Sequence, residues 1–271
     1  MAHLCTTDYS KISTDEEKDA QIKYEEYNKP MKLRCSSDDL RFSHPNIECR
    51  KFLWRYNSLF PNNFIDTLYY FNSSITKPDY LSEANEYISF LDKNGSENGI
   101  QGYIKDNRKW FIPGSIFRDY NFGHHDAYLF PEQMLGTTYR ADYMLLGANS
   151  DGYSIVLIEF EKADTNFLLS TSNTENENVR KGITQLKDWK RWIDDYRDYF
   201  LKDIGLQTKA ISIPVSRIHY CVVVSRRKYM DDRAKEVRSQ ICYEMKNTKI
   251  ITYDRLADNI LLLEANMGPL Y

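Results

Sequence analysis

The chain lacks most of the features that would fix its chemistry at a glance. Its 271 residues include five cysteines, Cys5, Cys35, Cys49, Cys221 and Cys242, and none form a CxxC pair. That spacing argues against a zinc site and against a disulfide framework, and it fits a reducing, cytoplasmic setting. No apolar run approaches the ~18 residues of a spanning helix, so no membrane segment is expected. The first twenty residues have neither a basic stretch nor an apolar core, and no secretory signal is expected there. There is no GxxxxGK[ST] phosphate loop and no GxSxG elbow, which removes P-loop ATPases and serine hydrolases of that type. Net charge is only −3. The chain therefore lacks the bulk basicity of many nucleic-acid binders, although a local basic patch or a bound cation can still hold phosphates.

Hydrophobic residues make up 42% and charged residues 28%, enough to bury a core in one large domain or two small ones. Tyrosine is abundant, at 21 residues, and packing explains it better than base stacking. Residues 1–78 differ from the rest: they are polar, carry DEEKDAQIKYEEY, and end in the linker-like NSSITKP. They read as an N-terminal extension or small regulatory subdomain, and residues 79–271 as the main domain.

Hydrophobic spacing then sets the elements of that domain. Leu81–Lys93 reads as a helix capped by Ser82, with Ala84, Tyr87, Ile88 and Leu91 on one face. Three glycines over 94–102 read as a break. Residues 103–135 show only short apolar pieces, such as Tyr128–Phe130. Tyr139–Leu146 and Tyr153–Glu161 read as strands joined by GANSDG, an antiparallel hairpin. Residues 166–178 read as a loop. Val179–Phe200 is a long helix with Val179, Ile183, Leu186, Trp189, Ile193 and Phe200 as its apolar stripe. A buried strand over 217–225, a helix over 230–246, a short strand over 250–252 and a last helix over 256–263 complete an α/β alternation.

The hairpin carries the candidate chemistry. Strand side chains repeat every two residues, so Glu159 and Glu161 project from one face, roughly 7 Å apart, and Asp142 on the neighbouring strand can join them. Convergent carboxylate oxygens suit a hard divalent cation, Mg²⁺ or Mn²⁺. Two-residue and lone motifs elsewhere carry less. His124 and His125 precede Asp126, but adjacent strand residues point apart. Arg226, Arg227 and Lys228 form a basic cluster that reads either as a solvated strand end or as a phosphate contact. Lys181, Lys187, Lys190 and Arg191 on the long helix extend that basic surface. Arg140 shares a strand face with Asp142 and can pair with a carboxylate.

The order of elements, strand with Asp142, strand with IEFEKA, helix with GITQLKDWKRWI, strand with YCVVVSRR, helix, then ITYDRL, resembles the PD-(D/E)XK (restriction-endonuclease-like) superfamily. Within it, residues 80–262 resemble the nuclease domain of Shedu (SduA) anti-phage proteins. The resemblance implies a mixed β-sheet flanked by helices and a Mg²⁺-dependent endonuclease, with Mn²⁺ as an alternative metal, acting on DNA as a cytoplasmic oligomer. It implies Asp142 and Glu159 as metal ligands and Gln185 as the helix glutamine of the motif, with Glu83 or Glu86 matching weakly an acidic residue from the first helix. Lys181, Lys187, Arg226 and Arg227 become candidate nucleic-acid contacts. One departure stands out: the motif places a lysine two residues after the strand acid, and this chain has Glu161 there. Either Glu161 serves as an extra ligand or base, or Lys162 takes the lysine's part through a local bulge. A catalytically inactive nucleic-acid or protein-binding module is the alternative reading.

Overall fold

A computed structural model describes residues 79–264 apart from 124–125 and 208–209. The extension assigned to residues 1–78 and the pair His124–His125 lie outside the described residues.

Helix α1 (Tyr80–Lys93) starts one residue before the expected point. Its cap is Asp79, whose carboxylate accepts from the Ser82 amide at 3.0 Å; Ser82 supplies the amide and not the cap. Tyr80, Ala84, Tyr87 and Leu91 form its buried stripe. The glycine-containing segment that follows is no break. It forms α2 (Glu97–Asp106), in spite of Gly99 and Gly102. Each helical glycine costs about 1 kcal/mol relative to alanine. Against that, the Ser96 hydroxyl caps Gly99 at 3.2 Å, and Ile100 and Ile104, one turn apart, are wholly buried. Packing outweighs propensity. Helical turns over Phe111–Gly114 and Ser115–Asp119 lead into the sheet.

Among the described residues the sheet has five strands in the order β1-β2-β3-β4-β5. Strand β1 (Asp126–Leu135) is longer than its apolar centre predicts. It pairs antiparallel with β2 (Tyr139–Asn149) along nearly all its length. Pro131 is tolerated because β1 is an edge strand, and Glu132 interrupts its regularity with a φ of 52°. The expected hairpin is present: β2 pairs antiparallel with β3 (Gly152–Phe160). Gly152 opens the turn at a φ of 111°, a backbone state that favours glycine. Arg217 locks that turn, donating five hydrogen bonds to Tyr153 O, Ser154 Oγ, Asp151 O, Asn149 Oδ1 and Gly152 O.

The long helix α3 (Glu177–Asp203) then crosses to β4 (Ile218–Val223), and α4 (Asp232–Glu244) crosses to β5 (Thr248–Ile251). Both crossovers give parallel pairs, β3 with β4 and β4 with β5. Helix α5 (Tyr253–Glu264) closes the described chain. The sheet is thus mixed and flanked by helices, as expected. Alternate residues serve two cores. Tyr143, Leu145, Val156, Ile158, Phe160 and Val223 pack with α1, α2 and α5 on one side. Met144, Leu146, Ile155, Leu157 and Val222 pack under α3 on the other, where Trp189 is wholly buried. Strand β3 is covered on both faces, which explains its almost unbroken apolar run.

Candidate metal and phosphodiester site

The site forms where the β2–β3 ladder opens. The last paired residues at this end are Tyr143 and Ile158. One step further the same register sets Asp142 opposite Glu159, and directly opposed residues of an antiparallel pair share a face. Here a side chain replaces the missing ladder bond: the Phe160 amide donates to Asp142 Oδ2 at 2.7 Å. Glu159 lies on the α3 side of the sheet, in phase with Leu157, and the charge of Asp142 acts on it across the gap; Asp142 itself stands where the alternation of β2 shifts, since Ala141 and Met144 both join the α3-side core. The strand continues as backbone pairing past Phe160, with the Glu161 amide donating to Val223 O at 2.8 Å. Glu161 therefore follows Glu159 on the same side.

Burial makes these carboxylates unusual. Glu159 is 4% exposed and Glu161 1% exposed. Glu159 Oε2 is buried without a hydrogen-bond partner. Burial is the main force raising the Asp142 carboxyl above its ordinary range, and the Phe160 amide works against it. Burial also raises Glu159, further still, and the neighbouring charges of Asp142 and Glu161 add to it. Glu161 is pushed up to about 7, again mainly by burial, with Lys181 pulling the other way.

Two residues complete the cluster. Lys181, in the first turns of α3, places Nζ 3.1 Å and 3.2 Å from the two oxygens of Glu161. It also reaches Glu97 Oε2 at 3.3 Å. Burial tends to lower the Lys181 ammonium, but hydrogen bonds to Glu161 and Glu97 outweigh it and hold it above the usual lysine range. Glu97 stands in the first turn of α2, and its charge acts on Asp142, Glu159 and Glu161. Sequence reading missed Glu97 because the glycines around it hid α2; Ser96 followed by Glu97 was the available signal. Glu83 and Glu86, the acidic residues first considered for a helix-borne role, instead pair with Lys109.

Gly182 lets α3 come this close. A Cβ there would lie 3.0 Å from Val222 Cγ1 and 3.1 Å from Glu161 Cγ. One turn beyond Lys181, Gln185 is half-buried, and with Lys181 it lines an open groove of about 580 Å³. Tyr139, Glu177, Arg180, Thr184 and Asp188 line the rest. Lys187 is exposed elsewhere on α3.

Lys162 sits 3.6 Å from Asp164 Oδ1, with its side chain half exposed. The basic cluster after β4 is largely neutralised from within. Arg226 is 4% exposed and bonds Asp254 at 2.9 Å and Asp92 at 3.2 Å. Arg227 pairs with Asp258 and Lys228 with Asp92. The charges of Asp142, Glu159, Glu161 and Lys181 thus act on one another, Gln185 lies with Lys181 on the groove wall, and Arg226 and Arg227 are tied to α1 and α5.

Among the described residues no three acidic, histidine or cysteine side chains already stand as a metal-ligand set. Glu161 is held by Lys181 instead. The donor chemistry nevertheless fits a hard divalent ion: oxygen anions only, buried, mutually repelling, with one orphaned oxygen on Glu159. Mg²⁺ commonly takes one or two protein carboxylates and completes its shell with water and substrate phosphate.

No curated protein matches the chain. Among solved structures, the restriction endonuclease FokI aligns at 10% identity over 73% of this chain, with a TM-score of 0.37. FokI bound to DNA aligns at 10% identity over 72%, with a TM-score of 0.34. The chain spans about a third of the length of those proteins, 33% and 32%. The sequence profile described as Shedu protein SduA, C-terminal, matches residues 94–257, more than half of the chain, and every element from α2 to the start of α5 lies within that match. The chain belongs to the Shedu SduA C-terminal family.

Proposed function

We propose that this chain is a divalent-metal-dependent DNA endonuclease of anti-phage defence. The observation that carries the reading is Asp142 opposite Glu159 at the opening of the β2–β3 ladder, with a buried, unpartnered oxygen on Glu159. Asp142 and Glu159 would hold Mg²⁺, or Mn²⁺ in its place, with Glu161 held beside them by Lys181. When bound, the metal would polarise the scissile phosphate and stabilise the charge that builds on it. The protein's own residues do the remaining work. Burial of Glu159 and Glu161 keeps bulk water from screening the site. The Gln185 amide, on the groove wall, can donate to a phosphate oxygen or to water. Lys181 and Lys187 supply positive charge along α3 for the DNA backbone. Arg226 and Arg227 would reach phosphate only after giving up their aspartate partners.

The test uses the full chain with plasmid and linear DNA, in Mg²⁺, Mn²⁺ or EDTA. Metal-dependent cleavage that falls by about 100-fold or more in Glu159→Ala supports the reading. DNA retention without cleavage in any metal would support the silent binding module instead. Two expectations accompany the proposal. One is a cytoplasmic location; among the described residues no helix is long and apolar enough to cross a membrane. The other is self-association, which sedimentation of the full chain measures.

A further inference from the structure

We infer that Lys181, reaching in from helix α3, positions the attacking water at this site. The inference rests on the nuclease reading above. Four observations support it. Lys181 is the cation that hydrogen-bonds the carboxylate cluster, touching both oxygens of Glu161 and one of Glu97. It stands between those acids and the open groove: its side chain is 53% exposed, whereas that of Glu161 is 1% exposed. Lys181 lines the groove, whereas Asp142, Glu159 and Glu161 do not. The neighbouring lysine, Lys162, is engaged by Asp164. Finally, Gly182 allows α3 to seat against Val222 and Glu161, which brings position 181 to the acids.

The reaction is hydrolysis of a phosphodiester. The water oxygen bonds to phosphorus as one P–O bond to a sugar oxygen breaks; that oxygen leaves with the bonding pair and takes up a proton, and the water gives up a proton to solvent. The sum is addition of one water. An ammonium has three N–H donors and no acceptor, so Lys181 stays protonated throughout. It fixes the water by donating to it, while Glu161 and Glu97 orient the ammonium. A lysine that only balanced buried charge would need no exposure to the groove.

The test combines Lys181→Ala, Lys181→Met and the double variant Glu161→Lys with Lys181→Met. Single-turnover DNA cleavage is read beside affinity for Mn²⁺ alone, measured by calorimetry. Loss of a positioned group of this kind typically lowers rates by about 10²–10⁴-fold. Lys181→Ala is expected to fall in that range with Mn²⁺ affinity unchanged or tighter. Methylammonium or ethylammonium should restore cleavage saturably, and tetramethylammonium should not. The double variant should recover part of the rate. Cleavage by Lys181→Met within a few-fold of wild type would overturn the inference and leave the nuclease reading standing. A rate loss matched by an equal loss of Mn²⁺ affinity, without amine rescue, would show a purely structural lysine and also overturn it. If the wild-type chain cleaves no DNA in any metal, the nuclease reading fails and the inference falls with it.

Discussion

Buried acids without a metal should make this protein less stable as pH rises, and Glu161 gives the effect a size. Its carboxyl sits at about 7, against 4.5 for an ordinary glutamate. A folded-state pKa raised above the unfolded value means stability that is fully present below pH 4.5 and lost as pH climbs through 7. The gap of about 2.5 units, at ~1.36 kcal/mol each, is an upper bound near 3.4 kcal/mol. Screening by groove water reduces it to roughly 1–3 kcal/mol. For a domain of this size that is a fall in Tm of roughly 3–10 °C. Asp142 and Glu159 are raised too, so they push the same way. The assay is thermal unfolding in EDTA between pH 5 and 8 for wild type and Glu161→Gln. Wild type should lose stability across that window, and the variant should lose less. Mg²⁺ or Mn²⁺ should reverse the wild-type loss while releasing protons, because ligation needs the ionised acids. Parallel stability profiles for the two proteins in EDTA would refute the reasoning.

Other perturbations test the frame around the site. Gly182→Val should lower stability by about 1–3 kcal/mol in urea unfolding, since its side chain would press on Val222 and Glu161, and it should slow cleavage more than its stability loss explains. Arg217→Ala removes five hydrogen bonds from the β2–β3 turn and should cost about 2–4 kcal/mol by the same measurement. Arg226→Ala leaves Asp254 without its buried partner and should cost about 3–5 kcal/mol; the salt dependence of DNA binding should barely change, where a phosphate contact would lower its slope by about 1.

The parts of the fold that were legible in the sequence are those where one periodicity dominates. The β2–β3 hairpin was marked by two apolar runs around GANSDG, and α3 by an apolar stripe that keeps its spacing for five turns. Strand alternation set Glu159 and Glu161 on one face and left Asp142 to come from the neighbouring strand; the β2–β3 ladder that ends at Tyr143 and Ile158 leaves Asp142 and Glu159 one step beyond it. Strand β1 was obscured by Pro131 and Glu132, residues that an edge strand tolerates and a central one does not. Helix α2 was obscured because Gly99 and Gly102 argue locally against it, whereas Ile100 and Ile104 find their partners only in the folded core. Glu97 was lost with that helix. The basic run at 226–228 shows the opposite limit. Its charges are conspicuous in the sequence, but Asp92, Asp254 and Asp258, which neutralise them, come from distant elements. Lys181 was visible as a charge on a helix; its contact with Glu161 depends on how closely Gly182 lets α3 approach the sheet.

The most direct measurement is a crystal structure of the chain grown with Mn²⁺, with the metal located by its anomalous scattering. The account predicts one peak bonded to Asp142 and Glu159 at the open end of the β2–β3 ladder, and its loss in Glu159→Ala. A map at millimolar Mn²⁺ with no density there, or with the ion bound only at other acids, would contradict it.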